Sequence, residues 1–210
     1  MENDQIVDVL ELLVKLWDLH NSNEFKSKNV YFVNEKQINI QQTLEVRKYF
    51  KDEIINTIFP LILDAKQSFP FLRDNTVYLA CKLSNSITKE KKYALIPLPT
   101  KIKKRFFQLP KQGGNTYMMF IDDVIRCNLD VVFSSFEFNM FEAYTIKLTR
   151  DAEIDLESDV SLDILDTIKN SLKQRKKGQP VRLIYDQEMP KDFIKFINQK
   201  LKLSKDELIP

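Results

Sequence analysis

The clearest hydrophobic pattern in the chain runs from Tyr144 to Glu157. Its even positions are Tyr144, Ile146, Leu148, Arg150, Ala152, Ile154 and Leu156; its odd positions are Thr145, Lys147, Thr149, Asp151, Glu153, Asp155 and Glu157. Side chains of an extended chain alternate faces, so the run reads as strand with one apolar and one polar face. Arg150 is the single charge on the apolar face. An unpaired buried charge is costly, so Arg150 needs either a carboxylate partner or a cleft in which a ligand supplies one. Asp151 and Glu153 point the other way, which favours a carboxylate from another element. The run exceeds the usual strand length of roughly 3–10 residues, which predicts a bend or split near Arg150.

The same periodicity reading lays out the rest of the chain. Asp4 to about Lys28 carries Ile6, Val9, Leu10, Leu13, Leu16, Trp17 and His20 at three- and four-residue steps, the stripe of an amphipathic helix. Val30–Val33 is a short strand. Asn39 followed by Gln42 opens a helix with a capping box; it runs to about Thr57 with Leu44, Val46, Phe50, Ile54 and Ile58 inward, and Pro60 ends it. Leu61–Leu63 is a brief pairing segment, and 67–75 is a loop holding Phe69-Pro70-Phe71. Thr76–Ser84 and Lys91–Leu98 form a hairpin, and Arg105–Leu109 and Thr116–Phe120 a second pair around Gly113-Gly114. Ile121–Phe133 is an amphipathic helix, and Phe136–Met140 a short aromatic segment leading into the long alternating run. Asp159–Lys177 is a helix stopped by Gly178 and Pro180; Val181–Tyr185 is a strand; Pro190 starts a last helix with Phe193, Ile194, Ile197 and Leu201 inward. Paired strands punctuated by helices give an α+β fold, with a mainly antiparallel or mixed sheet covered by helices on one side and an N-terminal helical extension. The expected division is 1–29 as a helical segment and 30–210 as one α+β domain.

Composition narrows the function classes. The net charge of +2 is too small to argue for nucleic acid or a membrane surface, and no nucleic-acid partner is expected. Cys81 and Cys127 sit in apolar runs without a CxxC pattern and read as reduced core thiols, which points to a cytoplasmic protein. The only three glycines are Gly113, Gly114 and Gly178, so neither a P-loop nor a dinucleotide fingerprint can be built. A phosphate bound here would have to be held by side chains.

Four groups are candidates for chemistry. His20, the only histidine, sits on a helical apolar stripe with no basic cluster around it, and reads as a packing residue. Asp151, Glu153, Asp155 and Glu157 could in principle hold a hard cation. Same-face residues of extended chain lie ~7 Å apart, however, which suits a solvated face, and no metal site is assigned. Lys173, Arg175, Lys176 and Lys177 crowd the end of a helix, where they complement its dipole. Joined by Arg182, they could instead hold a polyanion. Lys101, Lys103, Lys104 and Arg105 precede Phe106-Phe107 and read as a charged guard on a hydrophobic strand.

Several motifs in order carry a family resemblance. Asn34-Glu35, Tyr49-Phe50, Ile121-Asp122-Asp123-Val124-Ile125, Thr149-Arg150-Asp151-Ala152-Glu153, Ser171-Leu172-Lys173-Gln174-Arg175, Pro180-Val181-Arg182 and Met189-Pro190 resemble the middle, or head, domain of bacterial polyphosphate kinase. The resemblance covers about Val30 to Pro210. It implies that the chain is a piece of a longer enzyme that moves the terminal phosphoryl of ATP onto polyphosphate, reversibly, using magnesium and a phosphohistidine held in later domains. For this piece it implies no catalytic residue, no cofactor of its own and no kinase activity alone. The implied partners are a second copy in a homodimer, the later catalytic domains, and polyphosphate held by Arg150, Lys173, Arg175 and Arg182. A cytoplasmic location is implied, with the parent open to peripheral membrane attachment. The alternative is a stand-alone, non-enzymatic domain that binds a polyanion or a protein.

Overall fold

The computed structural model describes residues 23–64, 69–74, 76–150 and 178–210. Backbone contacts divide the chain into two compact units, Met1–Thr57 with Pro99–Val132, and Ile58–Leu98 with Phe133–Pro210.

The first unit is built on a three-stranded sheet. Strand β1 (Val30–Phe32) pairs parallel with β6 (Asn115–Phe120), and β6 pairs antiparallel with β5 (Phe106–Gln112). Gly113 and Gly114 join β5 to β6 with φ of 56° and 82°. A two-residue turn with both centres left-handed matches strand twist, and glycine adopts that conformation without a Cβ penalty. Helix α1 (Asn23–Ser27) precedes β1, and α2 (Ile40–Tyr49) follows it. The expected capping box is present: Asn39 Oδ1 accepts the Gln42 N–H at 2.9 Å while Gln42 Oε1 accepts the Asn39 N–H at 3.1 Å. The helix then widens into a π turn over Phe50–Ile54 and closes as a 3-10 turn over Ile55–Thr57. Gln42, Val46, Phe50 and Ile54 are its buried residues. Leu44, expected inward, is 63% exposed. Two residues from both Gln42 and Val46, it lies ~200° around the helix from each and faces outward.

The expected helix over Ile121–Phe133 is two short ones, α3 (Ile121–Arg126) and α4 (Leu129–Val132). Asn128 explains the break. Its side-chain amide donates to the Val124 carbonyl at 2.8 Å, the acceptor a continuing helix would give its backbone N–H, which turns to Ile125 instead.

The second unit holds a six-stranded sheet in the order β2-β4-β3-β7-β8-β9. These are Leu61–Leu63, Lys91–Pro97, Val77–Ser84, Met140–Arg150, Pro180–Tyr185 and Leu208–Ile209; all pairs are antiparallel except β8 with β9. The fold is α+β with mixed sheets, as the pattern predicted. Helix α5 (Lys191–Leu201) lays Phe193, Ile197 and Leu201 on a core containing Tyr78, Ala80, Leu95, Ile146, Leu148 and Leu183. Tyr93 stacks on Phe193 with centroids 4.3 Å apart. Burying a side chain of this size contributes about 1.5–3 kcal/mol. Leu79, Cys81, Leu83, Ala94 and Ile96, which alternate with the residues facing α5, are all 0% exposed. The helices expected over Asp4–Lys28 and Asp159–Lys177 lie largely or wholly outside the described residues.

Candidate functional site

Arg150 is the last residue of β7, where the register with β8 slips. Leu148 pairs with Leu183 and Thr149 with Arg182, but Arg150 pairs with Pro180. The extra residue is Val181, on β8; the rest of the alternating run, over which a bend or split is expected, lies outside the described residues. The expected carboxylate is not what holds the guanidinium. Nε donates to the Leu72 carbonyl at 2.8 Å and Nη1 to the Gly178 carbonyl at 2.7 Å. The guanidinium carbon lies 4.3 Å from the centroid of the Phe71 ring. Asp74 accepts the Arg150 backbone N–H at 3.1 Å. Burial draws the guanidinium below its ordinary pKa, against the opposing charge of Asp74. An arginine remains charged at neutral pH regardless. Two of its five N–H donors are taken by these neutral carbonyls. Position is therefore fixed without direct charge cancellation from those acceptors.

Arg150 lines a cleft of about 560 Å³ with Phe69, Phe71, Gln179, Lys200, Lys202 and Glu207 among its walls. Lys202 ends α5 in the left-handed region, at φ 60°. Asn198 locks that end: its Oδ1 accepts the Leu203 N–H at 2.9 Å and its Nδ2 donates to the Leu203 carbonyl at 3.0 Å. Glu207 Oε2 in turn accepts the Ser204 N–H at 2.6 Å. Three cations from two elements thus border one concave surface, with a carboxylate already engaged by the backbone. Such a surface can bind a polyanion.

Of the residues expected to join Arg150, Arg182 is not brought to it. It pairs with Thr149, so it projects from the face opposite Leu148 and Leu183, and it is exposed. Lys173 and Arg175 lie outside the described residues, as do His20 and the acids Asp151, Glu153, Asp155 and Glu157. Lys200 and Lys202 were missed. Their signal in the sequence is weak, because lysines at a helix end are ordinary complements of its dipole.

A matching profile decides the family. The profile of the polyphosphate kinase middle domain matches residues 41–210. The chain belongs to the polyphosphate kinase family. It is 37% identical to the polyphosphate kinase of Vibrio cholerae over 192 residues, covering 89% of this chain and 27% of that protein. It is 31% identical to the polyphosphate kinase of Escherichia coli, covering 89% of this chain and 28% of that protein. The crystal structure of polyphosphate kinase from Porphyromonas gingivalis superposes with a TM-score of 0.71 at 25% identity, over 98% of this chain and 29% of that one. The chain thus spans under a third of the length of these relatives. The motif segment Ile121–Ile125, part of the family resemblance, turns out to carry a second charge cluster.

That cluster is in the first unit. Asp122 and Asp123 open α3 and are each 7% exposed. Arg126 lies within 3.6 Å of Asp122 and hydrogen-bonds Asp123, and Arg105 reaches Asp122 at 3.3 Å. Burial, then the adjacent Asp122 charge, push the Asp123 carboxyl up to about 7, against Arg126. Its ordinary value is 3.8. Between these values the folded chain holds a proton that the unfolded chain releases. Stability from this group is therefore full below about pH 4 and lost as pH rises to about 7, at up to ~1.4 kcal/mol per unit. Asp123→Asn should remove that dependence. The check is the denaturation midpoint of both proteins from pH 4 to 8, where the gap in favour of Asp123→Asn should widen with pH and level off above about 7. A gap constant across the range would mean that Asp123 is ionised throughout.

No helix among the described residues is long and apolar enough to cross a membrane.

Proposed function

We propose that this chain is the middle-domain part of a polyphosphate kinase, whose whole length transfers the terminal phosphoryl of ATP to polyphosphate and back, and that its Arg150 cleft holds the polymer in passage. The observation that carries this reading is the pinned Arg150 guanidinium beside Lys200 and Lys202, in a chain of this family. A planar guanidinium suits phosphate oxygens, and fixing it in advance lowers the cost of ordering it on binding. Magnesium and ATP belong, in this proposal, to the rest of the parent. Among the described residues no group of three or more His, Cys, Asp or Glu could hold a metal ion. The part described here orients and screens the polymer's charge, and its second role is to form the homodimer.

The test is binding of the chain to a fluorescent polyphosphate across a salt series. Binding should weaken steeply with salt, because each phosphate neutralised releases a counterion. Lys200→Ala with Lys202→Ala should lower affinity about tenfold and flatten the salt slope, with the fold intact by circular dichroism. Undiminished binding by that double variant would remove the cleft from the polymer's path. If the full-length protein bound polyphosphate, bound it weakly with both changes, and had no kinase activity without them, the domain would be a polyanion-binding module rather than part of an enzyme.

A further inference from the structure

Strand β5 is the last strand of the first unit's sheet. In the order β1-β6-β5 it has β6 on one side and, among the described residues, no strand on the other. Two hydrogen bonds fix which backbone groups that second side presents. The Ile121 N–H donates to the Arg105 carbonyl at 3.0 Å, so the ladder begins with a bonded pair at Arg105 and Ile121. Met118, which lies opposite Gln108, accepts the Val33 N–H on its carbonyl at 2.9 Å, so its backbone is turned to β1 rather than β5. Bonded and non-bonded pairs alternate along an antiparallel ladder. Phe107 with Met119 and Leu109 with Tyr117 are therefore the bonded pairs. The N–H and C=O groups of Phe106 and Gln108 point away from β6. The next outward position is Pro110, which has no N–H to offer, so the row of donors ends there.

Lysine and proline commonly blunt a sheet edge against pairing. Here the guard is partial, because the stretch from Phe106 to Gln108 borders a cleft of about 560 Å³. Tyr49 and Phe107, stacked with centroids 4.1 Å apart, line it from one face of β5, and Phe106 and Met118 from the other. A strand added to this edge meets two donors, two acceptors and an apolar wall for each of its alternating rows of side chains. Charge selects the strand. Lys101 and Lys104 precede the stretch and Lys111 follows it, all three exposed, whereas Lys103 is held by Glu53 and Arg105 by Asp122. A second copy is disfavoured. Antiparallel pairing of two β5 edges would set Lys104 of one copy near Lys111 of the other, and like charges across a strand pair are destabilising. An extended peptide with acidic ends meets the same lysines with opposite charge.

We propose that the β5 edge takes an extended peptide with an apolar centre and acidic ends as a fourth strand, hydrogen-bonded to the backbone of Phe106 and Gln108, with its carboxylates on Lys104 and Lys111. The site lies within the first unit and stands apart from the Arg150 cleft.

The probe is a fluorescein-labelled peptide with a valine-rich centre and glutamates at both ends, titrated with the 210-residue chain and followed by anisotropy. It should bind at least about tenfold more tightly than the same peptide with lysines at its ends, and failure to bind at about 1 mM chain would overturn the proposal. N-methylation of the alternate amides that would face β5 should lower affinity about tenfold, since it removes backbone donors and leaves the charge. Equal binding by the methylated peptide would reduce the site to a patch of positive charge and overturn the added strand. Gln108→Pro should keep the circular dichroism spectrum, because that N–H is outside the β5–β6 ladder, and should lower affinity about tenfold. Should it fail to fold, the methylated peptide puts the same question to the unaltered chain. Lys104→Glu with Lys111→Glu should invert the preference between the two peptides, and an unchanged preference would overturn the proposal. Lys200→Ala with Lys202→Ala should leave peptide binding as it was. A loss there would move the peptide to the Arg150 cleft and overturn the β5 site.

Discussion

Arg126→Met is expected to destabilise the protein by about 3–5 kcal/mol, the cost of breaking a buried ion pair by removing one member. The side chains of Arg126, Asp122 and Asp123 are only 14%, 11% and 10% exposed. Methionine would fill much of the arginine's volume but remove the guanidinium that contacts both Asp122 and Asp123. Asp123→Asn should not destabilise at pH 7, because burial already favours the neutral side chain there. Combining the two should recover part of the Arg126→Met loss, since one of the stranded charges is gone. Urea denaturation of the three variants and the parent at pH 7 measures all four corners of the cycle. An Arg126→Met loss below about 1 kcal/mol, the range of exposed ion pairs, would show that water compensates the cluster.

Arg150→Met should have two effects, and their separation is informative. It removes charged hydrogen bonds to the Leu72 and Gly178 carbonyls and the contact with Phe71. Stranding such acceptors costs about 1–3 kcal/mol each, and the total should fall near 2–4 kcal/mol because part of the cleft is open to water. Polyphosphate binding should weaken alongside. Lys202→Ala, at an exposed side chain, should weaken binding while changing stability by no more than about 0.5 kcal/mol. Arg150→Lys keeps the charge but loses the planar fork, so it should retain some polymer affinity and lose most of the anchoring to the two carbonyls. The measurements are denaturation midpoints and salt-dependent polyphosphate affinity on the same preparations. Arg150→Met with full affinity and reduced stability would make Arg150 a structural clamp only.

Most of the architecture was legible along the chain because each element announces its own period. The Asn39–Gln42 cap, the Gly113-Gly114 turn and the alternation of β7 depend on residues a few positions apart, and all three are present. Leu44 failed because a helix that buries Gln42, Val46, Phe50 and Ile54 has a narrower inner stripe than its apolar residues suggest. The helix over Ile121–Phe133 failed because the periodic pattern does not register that Asn128 can take its own i−4 carbonyl with its side chain.

The sequence by itself determined which residues share a face, and therefore that Arg150 had to be satisfied somewhere other than on its own strand. Tertiary structure alone decided with what. The acceptors are carbonyls 78 and 28 residues away, groups that every residue carries and that no composition can single out. It alone brought Lys200 and Lys202 to the same cleft and sent Arg182 to the opposite face, since the side on which a strand residue emerges relative to another strand depends on register. It alone buried Asp122 and Asp123. Periodicity encodes faces because it is local; partners across a fold depend on the path of the whole chain, and single-element patterns do not carry that path.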